Sequence, residues 1–155
     1  SAIEGELFIP DNYIHTGGQA FANTNITSVK GLNHIINIES STFSGCSHLE
    51  EIDDLNPDLK RINGGIFEKC IKLRSAITIP EGVTEIGNIT FAGCESIPYL
   101  IFLSVTPPKL GYESFGNKNL PFKIYVPDAS LEAYKTSTGW ATYANKIYPL
   151  SQKPE

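Results

Sequence analysis

The sequence predicts a solenoid of about five stacked coils, each 22 to 24 residues long, with a cap at its C-terminal end. One observation is a phenylalanine that recurs with successive spacings of 22, 24, 24 and 24 residues, at Phe21, Phe43, Phe67, Phe91 and Phe115. A second is a cysteine three residues after each of the three central phenylalanines, at Cys46, Cys70 and Cys94. A fixed period of this length is the signature of a repeated supersecondary unit.

Aliphatic residues keep the same register around each phenylalanine. Five residues before it stand Ile38, Ile62, Ile86 and Leu110, and eight residues before it stand Tyr13, Ile35, Leu59 and Val83. A period of about 24 residues is too short for a pair of helices and suits one turn of a leucine-rich-repeat coil. A single coil cannot bury these side chains, so stacked neighbours are expected to share one continuous core.

Short β-branched segments within the repeats are predicted to be parallel strands. Ile77–Ile79 and Ile124–Val126 are rich in strand-forming residues, and Pro80 and Pro127 follow them directly and end them. The recurring phenylalanine is expected to stack inside the solenoid, where burial contributes on the order of 2 kcal/mol for each ring.

The C-terminal stretch has a different composition from Asp128 onward. Asp128 or Ser130 can N-cap a short helix over residues 131–136, and residues 140–146 suit a second helical turn. The aromatic residues of this stretch, Tyr134, Trp140 and Tyr143, have two interpretations: they cover the apolar end of the last coil, or they form a platform for a ligand such as a sugar. The predicted division is a solenoid over residues 1–127 and a cap with a frayed tail over residues 128–155, together forming one structural domain.

One coil carries the clearest repeat pattern. It reads Ile77-Thr78-Ile79-Pro80-Glu81-Gly82-Val83-Thr84-Glu85-Ile86-Gly87, then Thr90-Phe91-Ala92-Gly93-Cys94. This unit resembles the bacterial surface leucine-rich repeats of the BspA type, with the pattern I-x-I-P-x-x-V-T-x-I-G-x-x-A-F-x-x-C-x-x-L, and the C-terminal stretch resembles the closing segment of that family. One departure is the alanine before the phenylalanine, which is replaced here by Thr42, Ile66, Thr90 and Ser114.

The resemblance implies a fold and a role. The fold is a leucine-rich-repeat solenoid with short parallel β-strands, turns, short 3-10 or helical pieces and a C-terminal cap that contains a short helix. The implied role is adhesion or recognition, at the cell surface or in secreted form. The export signal itself is not found in this chain, because Ser1–Pro10 lacks both a basic start and an apolar core.

The cysteines are expected to be core residues, and the histidines are expected to be solvated loop or edge residues. An odd number of cysteines excludes a complete set of intrachain disulfides. Buried free thiols are the leading interpretation, while a disulfide between two neighbouring coils and a metal site remain open. The 24-residue spacing matches no zinc motif. The histidines, His15, His34 and His48, occupy three different repeat positions, so they are not expected to converge.

Other classes of function find little support in the composition. The net charge of −5 and the scattered lysines and arginines argue against nucleic acid or an anionic membrane surface as the partner. No stretch approaches the roughly 18 to 20 apolar residues of a membrane span. The acidic segment from Glu50 to Asp54 suits a solvated face, or a basic or cationic partner, but lacks calcium-loop spacing. No catalytic motif is present, so we expect no enzyme activity, no cofactor and no metal.

Two hypotheses for function follow. The first is a monomeric, non-catalytic extracellular module for recognition or adhesion, which binds a protein or glycan on its solenoid face. The second is a structural spacer or display domain of a larger bacterial envelope protein, with no ligand of its own. Candidate ligand-binding positions beside the strands are Glu51, Asp53, Ser75, Thr78, Tyr99 and Phe102. Phe102 has two interpretations, since residues 99–103 are apolar throughout: an exposed contact or a core residue.

Overall fold

The computed structural model describes residues 3–155, and in it the chain winds into the predicted leucine-rich-repeat solenoid. Ser1 and Ala2, which belong to the predicted solenoid of residues 1–127 and to the segment Ser1–Pro10, lie outside the described residues. Ten short strands occur in residues 3–155: β1 (Glu4–Phe8), β2 (Asn25–Lys30), β3 (Glu51–Ile52), β4 (Arg61–Ile62), β5 (Ile77–Ile79), β6 (Glu85–Ile86), β7 (Tyr99–Phe102), β8 (Lys109–Leu110), β9 (Lys123–Val126) and β10 (Ile147–Pro149).

Two parallel sheets are formed by the first strand of each coil, and we call the side of the solenoid on which they lie the long strand side. One has the order β1-β2-β3 and the other the order β10-β9-β7-β5. Between β3 and β5 the backbone ladder is interrupted, and the side chain of Ser75 spans the gap. The backbone N–H of Ile52 donates to Ser75 Oγ at 3.1 Å, and that hydroxyl contacts the carbonyl oxygen of Ile52 at 3.4 Å. The hydroxyl thereby replaces part of the missing ladder.

A third parallel sheet, with the order β4-β6-β8, is formed by the second strand of each coil. An isolated bridge between His15 and Asn37 places the first two coils beside each other in the same way. Glycine permits this close stacking, because a Cβ atom added to Gly87 would collide with the backbone of Gly64 in the coil before it. The sequence pattern did not distinguish this sheet from the sheets β1-β2-β3 and β10-β9-β7-β5.

The predicted phenylalanine stack is confirmed. Each of the five rings from Phe21 to Phe115 stacks on the next with an interplanar angle of 21° or less, and successive centroids are 5.9, 5.9, 5.8 and 6.0 Å apart. Four of them, Phe43, Phe67, Phe91 and Phe115, are fully buried. The aliphatic positions Ile38, Ile62 and Ile86 are buried beside them. Tyr13, which aligns with the buried Ile35, is instead 56% exposed, because no further coil covers it among the described residues.

The C-terminal segment contains the predicted helix α1 (Leu131–Thr136), followed by a 3-10 helix over Trp140–Lys146. Shorter 3-10 turns occupy Leu32–His34, Asp128–Ser130 and Leu150–Gln152. The rings of Tyr134, Trp140 and Tyr143 are buried, so the alternative in which these residues form a ligand platform is wrong. Ser130 stands at the N-cap position of α1, but its hydroxyl donates to the carbonyl of Val105 at 2.8 Å, so the predicted side-chain cap is not formed.

Candidate functional site

Strand alternation divides the sheet β10-β9-β7-β5 into an inner and an outer face. The inner positions pair in one row and are buried: Ile77, Leu100, Ile124 and Ile147. Neighbouring side chains along a strand point to opposite faces, so the next row lies on the outside. We call this outer surface the aromatic sheet face; its residues are Thr78, Tyr99, Ile101, Lys123, Tyr125 and Tyr148.

The tyrosines of the aromatic sheet face hold one another in place. Tyr125 lies at the centre and is only 4% exposed. The ring of Tyr99 meets it edge to face with centroids 5.4 Å apart, and the ring of Tyr148 lies 6.1 Å away on the other side. Tyr99 and Tyr148 are half-buried, so each retains surface for a contact with another molecule. Rings positioned in this way lose little conformational entropy when a ligand binds.

The two sheets on the long strand side differ in charge and polarity. On the aromatic sheet face, Lys123 is exposed and its Nζ lies 4.8 Å from the centroid of the Tyr148 ring, within cation–π range. On the sheet β1-β2-β3, the outer row instead pairs Glu6, Ser28 and Glu51. The strand side is therefore acidic near its N-terminal end and aromatic near its C-terminal end.

The polar residues that sequence analysis selected mostly serve the solenoid itself. Glu51 is exposed and accepts a hydrogen bond from the Arg74 guanidinium at 3.0 Å. Asp53 is half-buried, and its two carboxylate oxygens accept the backbone N–H groups of Gly31 and Leu32 at 2.7 and 3.0 Å. Ser75 bridges the interrupted ladder. These three contacts join adjacent coils, which is a structural use of the side chains; ligand binding by them stays a prediction.

The remaining predicted positions lie on β5 and β7. Thr78 and Tyr99 are half-buried and belong to the aromatic sheet face. Phe102 is fully buried and contacts the edge of Trp140 with ring centroids 4.9 Å apart. Its interpretation as an exposed contact is therefore wrong and its interpretation as a core residue is confirmed. The physical reason is register, since Phe102 pairs with the buried Ile79 on the inner face.

Four residues of the aromatic sheet face were not predicted from the sequence: Ile101, Lys123, Tyr125 and Tyr148. A signal for two of them was present. Tyr125 is the middle residue of Ile124-Tyr125-Val126, and Tyr148 stands between Ile147 and Pro149, so period-two alternation places both rings opposite their buried neighbours. Only the strand register, which puts Tyr148 beside Tyr125, brings them into one surface.

The three cysteines are free and buried, as predicted. Their Sγ atoms lie 3.1, 3.2 and 3.0 Å from the carbonyl oxygens of Phe21, Phe43 and Phe67 respectively, so each thiol donates to the coil before its own. Burial raises the pKa of all three thiols, and it raises the pKa of Cys94 to about 12. A thiol in this environment is a poor nucleophile, because the thiolate is the reactive form.

The histidines do not converge. His15 and His48 are exposed, while His34 is half-buried and contacts Asp11 at 2.8 Å. Residues 3–155 hold no group of three or more histidine, cysteine, aspartate or glutamate side chains placed to bind a metal ion. Among the same residues, no helix has the length and apolar character that crossing a membrane requires.

Comparisons with known proteins agree with this geometry. A family model described as the BspA type leucine rich repeat region matches residues 14–137 in six copies. A solved structure of a leucine rich cell surface protein from Faecalibacterium prausnitzii A2-165 is similar to this chain, with a TM-score of 0.67 and 28% sequence identity. That match covers 86% of this chain and 35% of the other, so this chain spans about a third of the length of that protein. No curated protein matches the sequence.

Proposed function

The chain belongs to the BspA-type leucine-rich-repeat family, and from this premise we propose that it is a non-catalytic recognition or adhesion module. It acts outside the bacterial cell, as a monomer, and binds a protein or a glycan. The similar solved structure is that of a cell surface protein, which supports the extracellular location. The solenoid of residues 1–127 and the cap of residues 128–155 act together as one structural domain.

The observation that carries this proposal is the aromatic sheet face. Tyrosine combines a large apolar ring with a hydrogen-bonding hydroxyl, and for that reason it is enriched where proteins bind their partners. Here Tyr99 and Tyr148 flank the buried Tyr125 on a regular sheet, which fixes the spacing of the rings. A fixed row of rings suits either the stacking of sugar rings or the side chains of a protein surface.

A catalytic role has no support in the arrangement of the described residues. The most nucleophilic side chains present, the three cysteines, face backbone carbonyls in the core, and burial raises their pKa values. None of the three histidines contacts a thiol through any hydrogen bond within residues 3–155. Covalent catalysis by a cysteine that a histidine activates needs such a contact.

The spacer hypothesis predicts a polar sheet face without features. The sheet β1-β2-β3 fits that description in its outer row of Glu6, Ser28 and Glu51, although Phe8 at the end of β1 is exposed. The aromatic sheet face does not fit it, because Tyr99, Tyr125 and Tyr148 form one contiguous patch, and contiguous apolar patches mark interaction sites. We therefore favour recognition over a spacer role.

The proposal is tested by a binding screen of the domain against immobilised extracellular-matrix proteins and a glycan array. We expect saturable binding to a member of one panel, weakened about tenfold or more by Tyr99→Ser and by Tyr148→Ser. The matched control is Tyr112→Ser, since Tyr112 is 70% exposed but lies in a turn away from the aromatic sheet face. Thermal melts of each variant separate lost binding from lost folding. No saturable binding in either panel would favour the spacer role.

A further inference from the structure

The two ends of the phenylalanine stack are closed differently. At the C-terminal end, Phe115 is covered by Trp140 and Tyr143, whose ring centroids lie 5.4 and 5.3 Å away. At the N-terminal end, the only ring that stacks on Phe21 within residues 3–155 is that of Phe43. Phe21 is accordingly half-buried, whereas Phe43 is fully buried. The second face of the Phe21 ring is the open end of the core.

An apolar cleft of about 430 Å³ lies at this open end. It is lined by side chains of the first coil, including Leu7, Tyr13 and Phe21, and by Ile35 of the second coil. Beside it Phe8 is 71% exposed. In the interior of the solenoid, the equivalent positions of each coil are covered by the neighbouring coil. The cleft is therefore an apolar surface of the kind that a neighbouring coil covers.

The backbone of the first coil carries a matching row of hydrogen-bond acceptors. In every interior contact, the N–H of the phenylalanine donates to the carbonyl of the residue just before the next phenylalanine. The four bonds run from Phe21, Phe43, Phe67 and Phe91 to Thr42, Ile66, Thr90 and Ser114, with lengths of 2.9, 3.0, 3.0 and 2.8 Å. The corresponding acceptor in the first coil is the carbonyl of Ala20.

Two further rows repeat in the same direction. In one row, the donors are the N–H groups of Gln19, Ser41, Gly65 and Ile89, and their respective acceptors are the carbonyls of Ser40, Gly64, Asn88 and Tyr112. In the other row, the donors are the N–H groups of Asn23, Gly45 and Lys69, and their respective acceptors are the carbonyls of Ser44, Glu68 and Ala92. The next acceptors in these rows are Gly18 and Ala22. In residues 3–155, no hydrogen bond reaches the carbonyl oxygens of Gly18, Ala20 or Ala22.

We propose that this end of the solenoid binds a further leucine-rich coil, stacked in the same direction as the other five. The incoming coil donates three N–H groups to the carbonyls of Gly18, Ala20 and Ala22. It fills the apolar cleft and places an aromatic ring on the open face of Phe21. The interface is continuous with the four coil-to-coil contacts already present, which repeat the same bonds and the same ring stacking.

The chemistry of this end disfavours a second copy of the chain as the occupant. Two copies meeting through their first coils would set carbonyl acceptors against carbonyl acceptors, and no hydrogen bond forms between them. The exposed Glu4 and Glu6 of each copy would also approach one another. The other end of a second copy is covered by Trp140 and Tyr143, so it offers no open coil.

The test is an extended chain in which a copy of residues 76–98 is joined ahead of Ile3. We expect the midpoint of thermal unfolding to rise by roughly 5–10 °C, because one more coil interface is formed. Fluorescence of 8-anilinonaphthalene-sulfonate, which reports exposed apolar surface, should fall by half or more. The matched control carries Phe91→Ser within the copied coil only, and it should show less than half of the increase in the midpoint.

Two outcomes overturn the proposal. In the first, limited proteolysis trims the extension back to Ile3 and the midpoint equals that of the unextended chain, which means that the end does not accept a coil. In the second, sedimentation of the unextended chain shows a dimer whose dissociation constant Phe8→Glu raises tenfold or more, which means that the occupant is a second copy. A monomer in sedimentation, together with the raised midpoint of the extended chain, supports the proposal.

Discussion

Trp140 packs against Phe115 with ring centroids 5.4 Å apart, and this contact closes the aromatic stack at the C-terminal end of the solenoid. The indole Nε1 donates to the backbone carbonyl of Pro108 at 2.7 Å, so the polar atom of the buried ring is satisfied. The ring edge also meets Phe102 at 4.9 Å. One residue of the cap therefore joins the last two aromatic positions of the core to the backbone of the fifth coil.

Trp140→Ala should be among the most destabilising single substitutions in the chain. It removes a fully buried ring and leaves the carbonyl of Pro108 without its donor, so we expect a loss of about 3–5 kcal/mol in the free energy of unfolding. Urea denaturation followed by circular dichroism measures the loss. Trp140→Phe retains most of the ring but not the N–H and should lose less. A loss below about 1 kcal/mol for Trp140→Ala would show that the cap does not close the core.

Phe67→Ala and Phe21→Ala form a matched pair. Phe67 is buried between two rings, and we expect its truncation to cost about 3–5 kcal/mol of unfolding free energy. Phe21 has a stacking partner on one face and is half-buried, so its truncation should cost about 1–2 kcal/mol. Denaturant melts of both variants give the difference directly. Equal losses would contradict the open N-terminal end.

Asp53→Ala tests whether this residue is structural. Its carboxylate accepts two backbone N–H groups of the preceding coil, from Gly31 and Leu32, and truncation leaves both without that acceptor. We expect a loss of about 1–3 kcal/mol in the free energy of unfolding. Glu51→Ala is the control, because its solvent-exposed ion pair with Arg74 should contribute little to the free energy of unfolding. If ligand binding falls while stability is unchanged in Asp53→Ala, the residue serves the ligand and not the fold.

Alkaline pH should destabilise the fold through the buried thiols. Burial raises the pKa of Cys94 to about 12, while the same thiol in the unfolded chain ionises near pH 9. The folded state therefore binds one more proton than the unfolded state between these values. The stabilisation from Cys94 is complete below pH 9 and is lost as pH rises toward 12, by about 1.4 kcal/mol for each pH unit.

Cys94→Ser isolates this contribution. The serine hydroxyl can still donate to the carbonyl of Phe67, but it does not ionise in this pH range. The free energy of unfolding, measured by urea melts between pH 9 and pH 11, should fall less steeply for the variant than for the parent chain. Parallel slopes for the two proteins would mean that the thiol of Cys94 is accessible and ionises in the folded state.

Much of the fold could be predicted because the repeat reports it directly. The spacing of the phenylalanines gave the stack, and Ile77–Ile79 and Leu131–Thr136 form a strand and a helix with the predicted bounds. Residues that depend on strand register were harder. Phe102 and Tyr99 lie three residues apart in one apolar run, and only the pairing of Phe102 with Ile79 shows which of them points inward.

The candidate site was only partly predicted, for a related reason. Tyr125 and Tyr148 are 23 residues apart in sequence, and each resembles a core or cap residue when taken alone. They become one surface because β10 returns from the cap to pair with β9. That return depends on the packing of the cap around Trp140, which local patterns do not encode. The contacts of Asp53 between coils could not be predicted either, because its backbone partners, Gly31 and Leu32, lie in the preceding coil.

The most direct test of the recognition account is hydroxyl-radical footprinting of the domain with and without a ligand from the binding screen. The method reports the oxidation of individual tyrosine side chains. We predict that the ligand protects Tyr99 and Tyr148, while Tyr13 and Tyr112, which are 56% and 70% exposed elsewhere on the molecule, oxidise at an unchanged rate. Protection of Tyr13 or Tyr112 with none at Tyr99 and Tyr148 would contradict the account and would move the binding surface away from the aromatic sheet face.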